Sequence, residues 1–368
     1  MKNIVVFLGG ESIEHEISCI TGVLTLNCID QSRFNALPIY ISTDGRWWTG
    51  ENLKDIDFYK NVDYKQLKNV SILPGGNTLC YAKGKKLKPI CEIACAINCL
   101  HGERGEDGSL YGLLRLCKIP MVGSCLFASS LSMNKSQTKI VLKGLGVKTL
   151  PYVTVKSKND FRTVEKIFEY PVIVKPETGG SSIGVSVAEN GFQLEQAILK
   201  ALRYSNGAII EPMLKDFTEI NCACYSVKGE FCVSECEKPI SSSEFLSFND
   251  KYKKGEREFP AKIDKKISSK IKQITAKLYK ELGFSGVIRV DFMVVEKDVY
   301  VNEINCVPGS LSYYLFVKTL KEWSVILTNL INQTLEDYAK QSTLTTKYQS
   351  GILTLSGSKG AKRLKNKE

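Results

Sequence analysis

A predicted β-hairpin late in the chain brings two carboxylates face to face. The apolar runs 286–295 and 299–304 are separated by a polar stretch, 296–298, which is typical of antiparallel strands joined by a three-residue loop. The loop length fixes which residues pair, and side chains alternate between the two faces of each strand. This register places four polar side chains on one face: Asp291 opposite Glu303, and Arg289 opposite Asn305.

Opposed carboxylates on neighbouring strands repel each other unless positive charge lies between them. A divalent cation resolves the repulsion, and Mg²⁺ commonly takes one or two carboxylates together with substrate phosphates. Beside such an ion, Arg289 would neutralise a transferred phosphoryl group or a developing oxyanion. The hairpin therefore predicts a metal-dependent site. An ordinary charged strand face turned to solvent is the alternative.

A second candidate for anion binding follows another apolar strand. Lys175 ends the run 172–174 and precedes Gly179-Gly180-Ser181-Ser182. Backbone amides freed by glycine, serine hydroxyls and a lysine together can hold a phosphate. The spacing matches neither the P-loop nor the GxGxxG fingerprint, so a plain surface turn is the alternative here.

The N-terminal part predicts the frame that must position these groups. The apolar run 3–8 ends in Gly9-Gly10 before a helix-compatible stretch containing Glu14, and the run 93–100 ends at His101 before a glycine-dense turn. Such strands are typical of an open α/β sheet, whose ligands bind beyond the carboxyl ends of the strands. We therefore expect Glu14 and His101 near a site, with a helix start and a structural histidine as the alternatives.

Three further segments are predicted from their patterns. Asn134 is expected to cap a helix that runs to Gly144, and apolar residues at helical spacing over 267–282 predict a long helix ended by Gly283. Residues 51–90 are rich in Lys, Asp, Asn and Gly, which predicts an irregular, exposed insertion.

Composition excludes several classes of protein. The chain has 368 residues, 43% hydrophobic and 24% charged, which excludes disorder of the whole chain. No uncharged apolar run reaches the roughly 18–20 residues of a membrane helix, and the N-terminus lacks a signal-peptide pattern. The net charge is +11, but the sequence contains no recognisable nucleic-acid-binding module. We therefore expect a cytoplasmic protein that binds neither membrane nor nucleic acid.

The thirteen cysteines raise a possible metal site at Cys91, Cys95 and Cys99, which recur every fourth residue. However, the chain has no CxxC pair and contains two histidines. Buried, reduced thiols are therefore the favoured interpretation.

Six stretches in order resemble the D-alanine–D-alanine ligases, a family of the ATP-grasp superfamily. They span the chain from about residue 3 to about residue 335, with the matching motifs at 9–18, 100–108, 133–135, 174–182, 289–291 and 302–309. The resemblance implies ATP-dependent joining of two D-alanines for peptidoglycan synthesis: ATP phosphorylates the carboxylate of the first amino acid, and the amine of the second attacks the acyl phosphate. It also suggests a homodimer.

The resemblance implies a three-domain ATP-grasp architecture of the α/β (α+β) class. Its domains are an N-terminal domain with an open parallel sheet (1–132), a central subdomain (133–219) and a C-terminal subdomain with metal site and lid (220–345), followed by a basic tail (346–368).

The resemblance also implies functional roles for single residues. ATP is implied to contact Lys135 and Lys175 through its phosphates, Glu211 and Leu214 through adenine, and Glu219 through ribose. Two Mg²⁺ ions, with Mn²⁺ as a substitute, are implied at Asp291, Glu303 and Asn305. The first substrate is implied at Glu14 and His101, with Ser181 linking Glu14 to a mobile loop. Arg289 and the backbone N–H of Gly309 would stabilise the oxyanion, while Lys251 and Tyr252 belong to a lid that closes onto ATP and Ser181.

One departure from the family pattern concerns the second substrate. Tyr314 stands where the family places a serine that holds the acceptor's carboxylate. A ligase of the same mechanism with a different acceptor is therefore an alternative, and a nucleotide-binding protein without ligase activity is another. The lid residue Tyr252 is typical of dipeptide-forming members, and no histidine follows His101, which argues against an ester-forming enzyme.

Overall fold

The computed structural model describes residues 1–240 and 256–352. They form three sheets of four or more strands, a two-stranded ribbon and eight α-helices. The predicted α/β fold class is therefore confirmed, whereas the domain boundaries stay a prediction. Every helix in these two ranges is too short or too polar to span a lipid bilayer.

The first sheet contains the predicted parallel strands and an antiparallel extension. Its strands are β1 (Lys2–Gly9), β2 (Phe34–Ile41), β3 (Trp47–Thr49), β4 (Lys68–Ile72), β5 (Thr78–Lys83), β6 (Lys86–Glu92), β7 (Cys95–Asn98) and β8 (Met121–Val122). Their spatial order is β6-β5-β4-β3-β2-β1-β7-β8. The pairs β1–β2, β1–β7 and β7–β8 are parallel, and the pairs from β2 to β6 are antiparallel. The sheet is thus mixed, because short connections such as that between β5 and β6 allow only antiparallel pairing.

The prediction that residues 51–90 form an irregular, exposed insertion is wrong. Strands β4, β5 and β6 occupy much of this segment, and Val70, Ile72 and Leu79 are buried against the first sheet's core. The lysines belong to exposed positions, above all on the outer strand β6. Alternating burial in 68–72 carries the period-two signal of a strand, which the lysine-rich composition hides.

The second and third sheets are antiparallel. The second contains β9 (Val153–Val155), β10 (Val172–Pro176), β11 (Ser186–Ala188) and β12 (Ala208–Pro212), in the order β11-β10-β12-β9. The third contains β13 (Thr218–Val227), β14 (Glu230–Val233), β17 (Val287–Val295) and β18 (Asp298–Asn305), in the order β14-β13-β17-β18. The ribbon strands β15 (Lys238–Pro239) and β16 (Arg257–Glu258) pair on either side of 241–255.

Helices cover the sheets and connect them. They are α1 (His15–Cys28), α2 (Ser109–Leu116), α3 (Leu126–Met133), α4 (Lys135–Gly144), α5 (Phe161–Glu165), α6 (Gly191–Ala201), α7 (Lys265–Glu281) and α8 (Leu320–Ser342). Helix α1 packs on β1, and α8 packs on β7, β8 and β13, so α8 joins the first sheet to the third. The fully buried Trp323 of α8 belongs to the core shared by these sheets.

The two helices predicted from caps are confirmed. The side chain of Asn134 accepts a hydrogen bond from the N–H of Gln137 at 3.0 Å, which satisfies a free donor at the start of α4. Gly283, with φ of +66°, follows the end of α7 in the left-handed conformation that glycine adopts at no steric cost.

The C-terminal hairpin has a shorter turn than predicted. Its turn contains two residues, 296–297, so Val295 pairs with Asp298 rather than with Val299. The predicted three-residue loop is therefore wrong, and by itself this error would shift every pair along the hairpin by one residue.

A β-bulge corrects the shift before the polar residues are reached. It lies between Asp291 and Phe292 of β17, and Asn302 is the extra residue in β18. The two predicted pairs are restored beyond it: Asp291 opposite Glu303, and Arg289 opposite Asn305.

The packing of the antiparallel extension is testable with two leucines. Leu79→Ala is expected to lower the free energy of unfolding by about 2–5 kcal/mol, because a buried side chain is replaced by a cavity. Leu79 is 1% exposed, whereas Leu87 on the adjacent strand is 41% exposed. Leu87→Ala is the control, with an expected change within about 0.5 kcal/mol. Urea unfolding measures both, and equal losses would contradict the buried position of Leu79.

Candidate active site

Two clefts open between the sheets and meet at a common wall. The first cleft, of about 340 Å³, is lined by strands of the second and third sheets, and the second cleft, of about 370 Å³, is lined by α1, the third sheet and the turn at 309–314. Gly180, Glu219 and Glu303 line both clefts. Ligands in the two clefts can therefore meet at this wall.

A buried ion triad lies at one side of the first cleft. Oε1 of Glu211 on β12 lies 2.5 Å from Nζ of Lys139, and Oε2 lies 2.7 Å from Nζ of Lys175. Burial alone would raise the pKa of Glu211, but the two ammonium groups outweigh it and lower the pKa to about 2. Glu211 therefore stays ionised and acts as a hydrogen-bond acceptor.

The same cleft has an apolar slot beside this acceptor. The apolar side chains that line it are Leu150, Ile173, Val185, Val187, Met213, Leu214, Phe217 and Met293. An apolar slot with one fixed polar acceptor suits a flat ring that carries an amino group.

The cationic end of the first cleft begins at Lys175, a member of the same triad, and includes Lys135. Nζ of Lys135 donates to the carbonyl oxygen of Gly179 at 2.5 Å, and Nζ of Lys175 donates to Oδ1 of Asn302 at 3.2 Å. Burial lowers the pKa of Lys135, since the charged form loses solvation. The two lysines beside the loop 179–184 make this end suitable for phosphate.

A stripe of buried polar side chains runs along α1 into the second cleft. Glu14, Ser18 and Thr21 follow one another at helical spacing and are at most 5% exposed. The hydroxyl of Ser18 accepts from the N–H of His101 at 2.8 Å, and Oγ1 of Thr21 lies 2.9 Å from Nε2 of His101. Thr21 Oγ1 also accepts from the N–H of Ser310 at 3.0 Å. Helix α1 thus positions two separate loops of the cleft.

The glycine-serine loop closes onto the start of α1. The hydroxyl of Ser181 donates to Oε1 of Glu14, and both side chains are buried. Ser181 and Ser182 have φ of +53° and +58°, the left-handed conformation that non-glycine residues rarely adopt. This contact joins the wall shared by the clefts to the first residues of α1.

His101 is electrically neutral in this environment. Its side chain is buried, and burial, followed by the nearby charge of Arg289, lowers the pKa to about 3. The imidazole can therefore donate or accept hydrogen bonds at neutral pH without adding positive charge to the cleft.

Glu106 holds two loops together from the side. Its Oε2 accepts from the N–H of Gly102 at 2.9 Å, and its Oε1 accepts from the N–H of Val307 at 3.2 Å. Burial, with the charges of Glu14 and Glu303, raises the pKa of Glu106 to about 8. The surroundings of this carboxyl are therefore strongly negative.

The predicted pair of opposed carboxylates has a positive partner within the protein. Nε and Nη2 of Arg289 donate to Oδ1 and Oδ2 of Asp291 at 2.7 and 2.9 Å. Nδ2 of Asn305 donates to Oδ2 of Asp291 at 3.0 Å. The expectation that the opposed acids need a bound ion is thus corrected for Asp291, since a bidentate guanidinium neutralises it.

The same residues still fit a hard divalent cation. Asp291, Glu303 and Asn305 offer carboxylate and amide oxygens, because a half-turn of the Asn305 amide exchanges its nitrogen for oxygen. Within residues 1–240 and 256–352, no group of three or more His, Cys, Asp or Glu side chains is arranged to hold a metal. An ion at this ladder would therefore complete its shell with substrate phosphate and water, as Mg²⁺ commonly does.

The turn at 309–315 has an unusual backbone. Ser310, Leu311 and Ser312 have φ of 49–50°, and three consecutive left-handed L-residues cost roughly 1–2 kcal/mol each. The contact of Ser310 with Thr21 and the burial of Leu311 hold the turn in place. This turn places Gly309 and Tyr314 on the wall of the second cleft.

Tyr314 lies beneath an arginine from the ribbon. The guanidinium carbon of Arg257 is 4.0 Å from the centroid of the Tyr314 ring, and Nη1 is 3.5 Å from Oε1 of Glu237. Burial raises the pKa of Tyr314. The ring of Tyr314, the residue that departs from the family pattern, thus supports the guanidinium of Arg257, and we call this ring the arginine platform.

The structure brings most residues implied by the family into the two clefts. The first cleft is lined by Lys135, Lys175, Glu211, Leu214, Glu219 and Glu303. The second is lined by Glu14, His101, Ser181, Glu219, Arg289, Glu303, Asn305, Gly309 and Tyr314. Asp291 is buried behind Arg289 and Asn305. Lys251 and Tyr252 lie outside the described residues.

Sequence reasoning missed several residues of the site: Ser18, Thr21, Glu106, Lys139 and Arg257. Three of them carried a usable signal. Ser18 and Thr21 continue Glu14 at helical spacing, and Lys139 stands one turn after Lys135. Glu106 lies inside the motif 100–108, but its contact with Val307 and the position of Arg257 come from pairing of distant segments, which no local spacing indicates.

Known proteins match both halves of the chain. Residues 3–124 match the family model of the D-Ala-D-Ala ligase N-terminus, and residues 141–336 match that of the D-Ala-D-Ala ligase C-terminus. The D-alanine–D-alanine ligase of Thermosipho melanesiensis is 37% identical over 350 residues, which are 92% of this chain and 95% of the relative.

Solved structures give the same result. The crystal structure of the D-alanine–D-alanine ligase from Helicobacter pylori is similar with a TM-score of 0.76 and 33% identity, covering 90% of this chain and 98% of that chain. The VanG D-Ala:D-Ser ligase from Enterococcus faecalis is similar with a TM-score of 0.75 and 26% identity, covering 92% and 99%. The matched motifs lie in the two clefts, and the chain belongs to the D-alanine–D-alanine ligase family.

Proposed function

We propose that this protein is an ATP-dependent ligase that joins two D-alanines into a dipeptide for peptidoglycan synthesis, with release of ADP and phosphate. The meeting of the two clefts at Gly180, Glu219 and Glu303 carries the proposal. A nucleotide in the first cleft and an amino acid in the second would have their reacting ends at one place, which is the main requirement of phosphoryl transfer.

The first cleft fits ATP by its charge and shape. Adenine would occupy the apolar slot, where its amino group donates to the ionised Glu211. Glu219 would accept from the ribose hydroxyls, and the phosphates would lie between Lys135 and Lys175.

The second cleft fits a zwitterionic amino acid. Glu14 would attract the ammonium group of the first D-alanine, and neutral His101 would contact it without repelling the ammonium. Its carboxylate would then face the wall shared with the nucleotide. Attack of this carboxylate on the terminal phosphorus of ATP forms the acyl phosphate and releases ADP.

The remaining groups suit the second half of the reaction. The amine of the second D-alanine attacks the acyl carbon, and phosphate leaves as the amine loses its proton. Arg289 and the N–H of Gly309 would stabilise the oxyanion that forms at this carbon. Two divalent cations, held by Asp291, Glu303 and Asn305, would neutralise charge on the transferred phosphate.

A ligase of the same mechanism with another acceptor is the second candidate. It is favoured by Tyr314, which replaces the family serine at the acceptor position. The similar VanG structure is titled a D-Ala:D-Ser ligase, so the architecture is compatible with a different second substrate in a relative.

An acceptor panel tests the proposed function. Purified protein with ATP, Mg²⁺ and D-alanine alone is expected to release ADP and form D-alanyl-D-alanine, measured by coupled ADP assay and mass spectrometry. L-alanine in place of D-alanine is the control. ADP release that requires a different acceptor would support the second candidate. Nucleotide binding without ADP release for any amine acceptor would contradict both candidate functions.

Glu303→Gln tests the metal ladder, since it removes a charged ligand at nearly constant size. We expect a loss of about 100-fold or more in kcat/KM and a higher Mg²⁺ requirement. Asp298→Asn is the matched control, because Asp298 lies on the same strand but pairs with Lys148 at 2.7 Å, half exposed. Thermal unfolding checks folding of both variants. Equal activity of the two variants would contradict the role of Glu303.

The neutral state of His101 predicts a pH effect on stability. Its pKa is about 3 in the folded protein and roughly 6.5 in the unfolded chain, so the unfolded chain binds more protons between these values. The contribution to stability is complete above pH 6.5 and is lost as the pH falls towards 3.

Imidazole NMR measures this state, and the two histidines give few signals. The His101 signals, identified by their absence in His101→Gln, are expected to keep neutral shifts down to about pH 5. A titration midpoint near 6.5 for those signals would refute the neutral, buried state.

A further inference from the structure

The second substrate of the proposed reaction carries a carboxylate that takes no part in the chemistry. Carboxylates are numerous on the second cleft, so a free anion entering it needs a cation to bind. Among the described residues that line this cleft, the cations are Arg289 and Arg257, since His101 is neutral. Arg289 already donates two hydrogen bonds to Asp291, and the proposed reaction assigns it to the oxyanion. Arg257 is therefore the candidate for the incoming anion.

The position of Arg257 leaves its donors available. Its side chain is 43% exposed, and its ion pair with Glu237 is 3.5 Å long, beyond the roughly 2.7–2.9 Å of a strong charge-assisted hydrogen bond. The guanidinium lies on the face of the Tyr314 ring. Stacking uses the face of the guanidinium, so its N–H groups, which lie in the plane, can still point to a ligand.

Two fixed elements hold this arginine at the cleft. Pro239 of β15 pairs with Arg257 of β16, and both line the second cleft. Glu237 is itself buried and bonded to Asn221 through backbone and side chain. The arginine thus has a rigid acid at one side and a rigid ring below it, which limits the positions of a long side chain.

We propose that Arg257, supported by the ring of Tyr314, binds the carboxylate of the acceptor amino acid. The inference rests on the proposed function. A planar guanidinium recognises a carboxylate through two parallel hydrogen bonds. Tyr314 then contributes its ring rather than its hydroxyl, so the replacement of serine by tyrosine moves carboxylate recognition to an arginine without excluding D-alanine as acceptor.

The test compares two acceptors that differ in the carboxylate. D-alanine is the donor, and D-alanine or D-alaninamide is the acceptor; the amide has no carboxylate and cannot act as donor. Arg257→Ala is expected to lower kcat/KM for D-alanine as acceptor by about 10- to 100-fold, the size of a charged hydrogen bond, and to change the value for D-alaninamide much less. The wild-type preference for D-alanine over D-alaninamide as acceptor, taken as the ratio of the two kcat/KM values, would then be largely lost. Because preferences are compared between variants, the different reactivity of the two amines cancels.

Variants of the platform separate the ring from the hydroxyl. Tyr314→Ala is expected to reduce the preference in the same direction as Arg257→Ala, and Tyr314→Phe is expected to reduce it less than Tyr314→Ala. Arg257→Lys keeps the charge without the planar fork and is expected to give an intermediate preference. A larger effect of Tyr314→Phe than of Tyr314→Ala would overturn the platform role.

A matched control exists outside the clefts. Arg162 also lies over an aromatic ring, with its guanidinium carbon 5.9 Å from the centroid of Phe161. Arg162→Ala removes an equivalent exposed, stacked arginine and is expected to keep the wild-type preference. A reduced preference in Arg162→Ala would show that loss of surface charge alone explains the effect.

Hydroxylamine trapping distinguishes failure of this inference from failure of the proposed function. Hydroxylamine attacks the acyl phosphate, forming D-alanyl hydroxamate and phosphate, and it reports donor activation without an acceptor amino acid. No hydroxamate from the wild type with ATP and D-alanine would contradict the proposed function. Hydroxamate from both wild type and Arg257→Ala, which also shows that the variant is folded, together with an unchanged acid-over-amide preference, would overturn the role of Arg257.

Discussion

Negative charge gathered where the two clefts meet is the constraint on which the site depends. Burial, together with the charges of Glu14 and Glu303, raises the pKa of Glu106 to about 8. Carboxylates at such a place are tolerated when each has a compensating partner. The protein supplies these partners locally: a serine hydroxyl for Glu14, and two backbone N–H groups for Glu106. Binding of a substrate ammonium or a divalent cation would lower the remaining repulsion, so ligand binding and charge compensation favour each other here.

Helix α1 and the turn at 309–315 set the positions of the groups around these carboxylates. The turn has three left-handed residues, 310–312, whose strain must be offset by contacts. Thr21 provides one of them and, through the same oxygen, also contacts His101. A single hydroxyl of α1 therefore joins the loop that contains His101 to the turn that contains Ser310, although the two are far apart in the sequence. Because both loops depend on α1, their relative position is set by the rigid helix rather than by the loops themselves.

Local patterns predicted the elements of the fold better than their boundaries. Sequence patterns predicted the helix caps and the apolar strands correctly, because each signal is confined to a few residues; the caps are Asn134 and Gly283. Residues 51–90 were not, because lysines on the exposed positions mask a narrow apolar stripe. The hairpin is instructive, since a turn one residue shorter than predicted and an unpredicted bulge at Asn302 compensate each other. The pairing of Asp291 with Glu303 was thus predicted correctly from a loop that does not exist.

The site shows the same division between local and distant information. Motif positions resembling the family lie in the two clefts, but their partners, such as Lys139, Glu106 and Arg257, are set by contacts between segments far apart in sequence. Arg289 shows why this matters. The sequence predicted a metal between the opposed acids, whereas the structure gives Asp291 a guanidinium from its own strand. Residue type and spacing indicate where charge lies, but the partner that balances it is known from the folded arrangement.

The two clefts have similar volumes but different distributions of charge, and this difference bears on their ligands. In the first, Lys139 and Lys175 neutralise Glu211, and Lys135 adds positive charge that suits a phosphate, whereas Glu219 and Glu303 belong to the wall shared with the second cleft. In the second, carboxylates outnumber cations among the described lining residues, so an ammonium group is attracted, and a carboxylate needs an arginine or a bound divalent cation beside it. A zwitterion can therefore enter the second cleft in few orientations. Electrostatics of this kind would orient each amino acid through its ammonium and carboxylate groups rather than through its small side chain. Donor and acceptor would then be distinguished by where their charged groups bind.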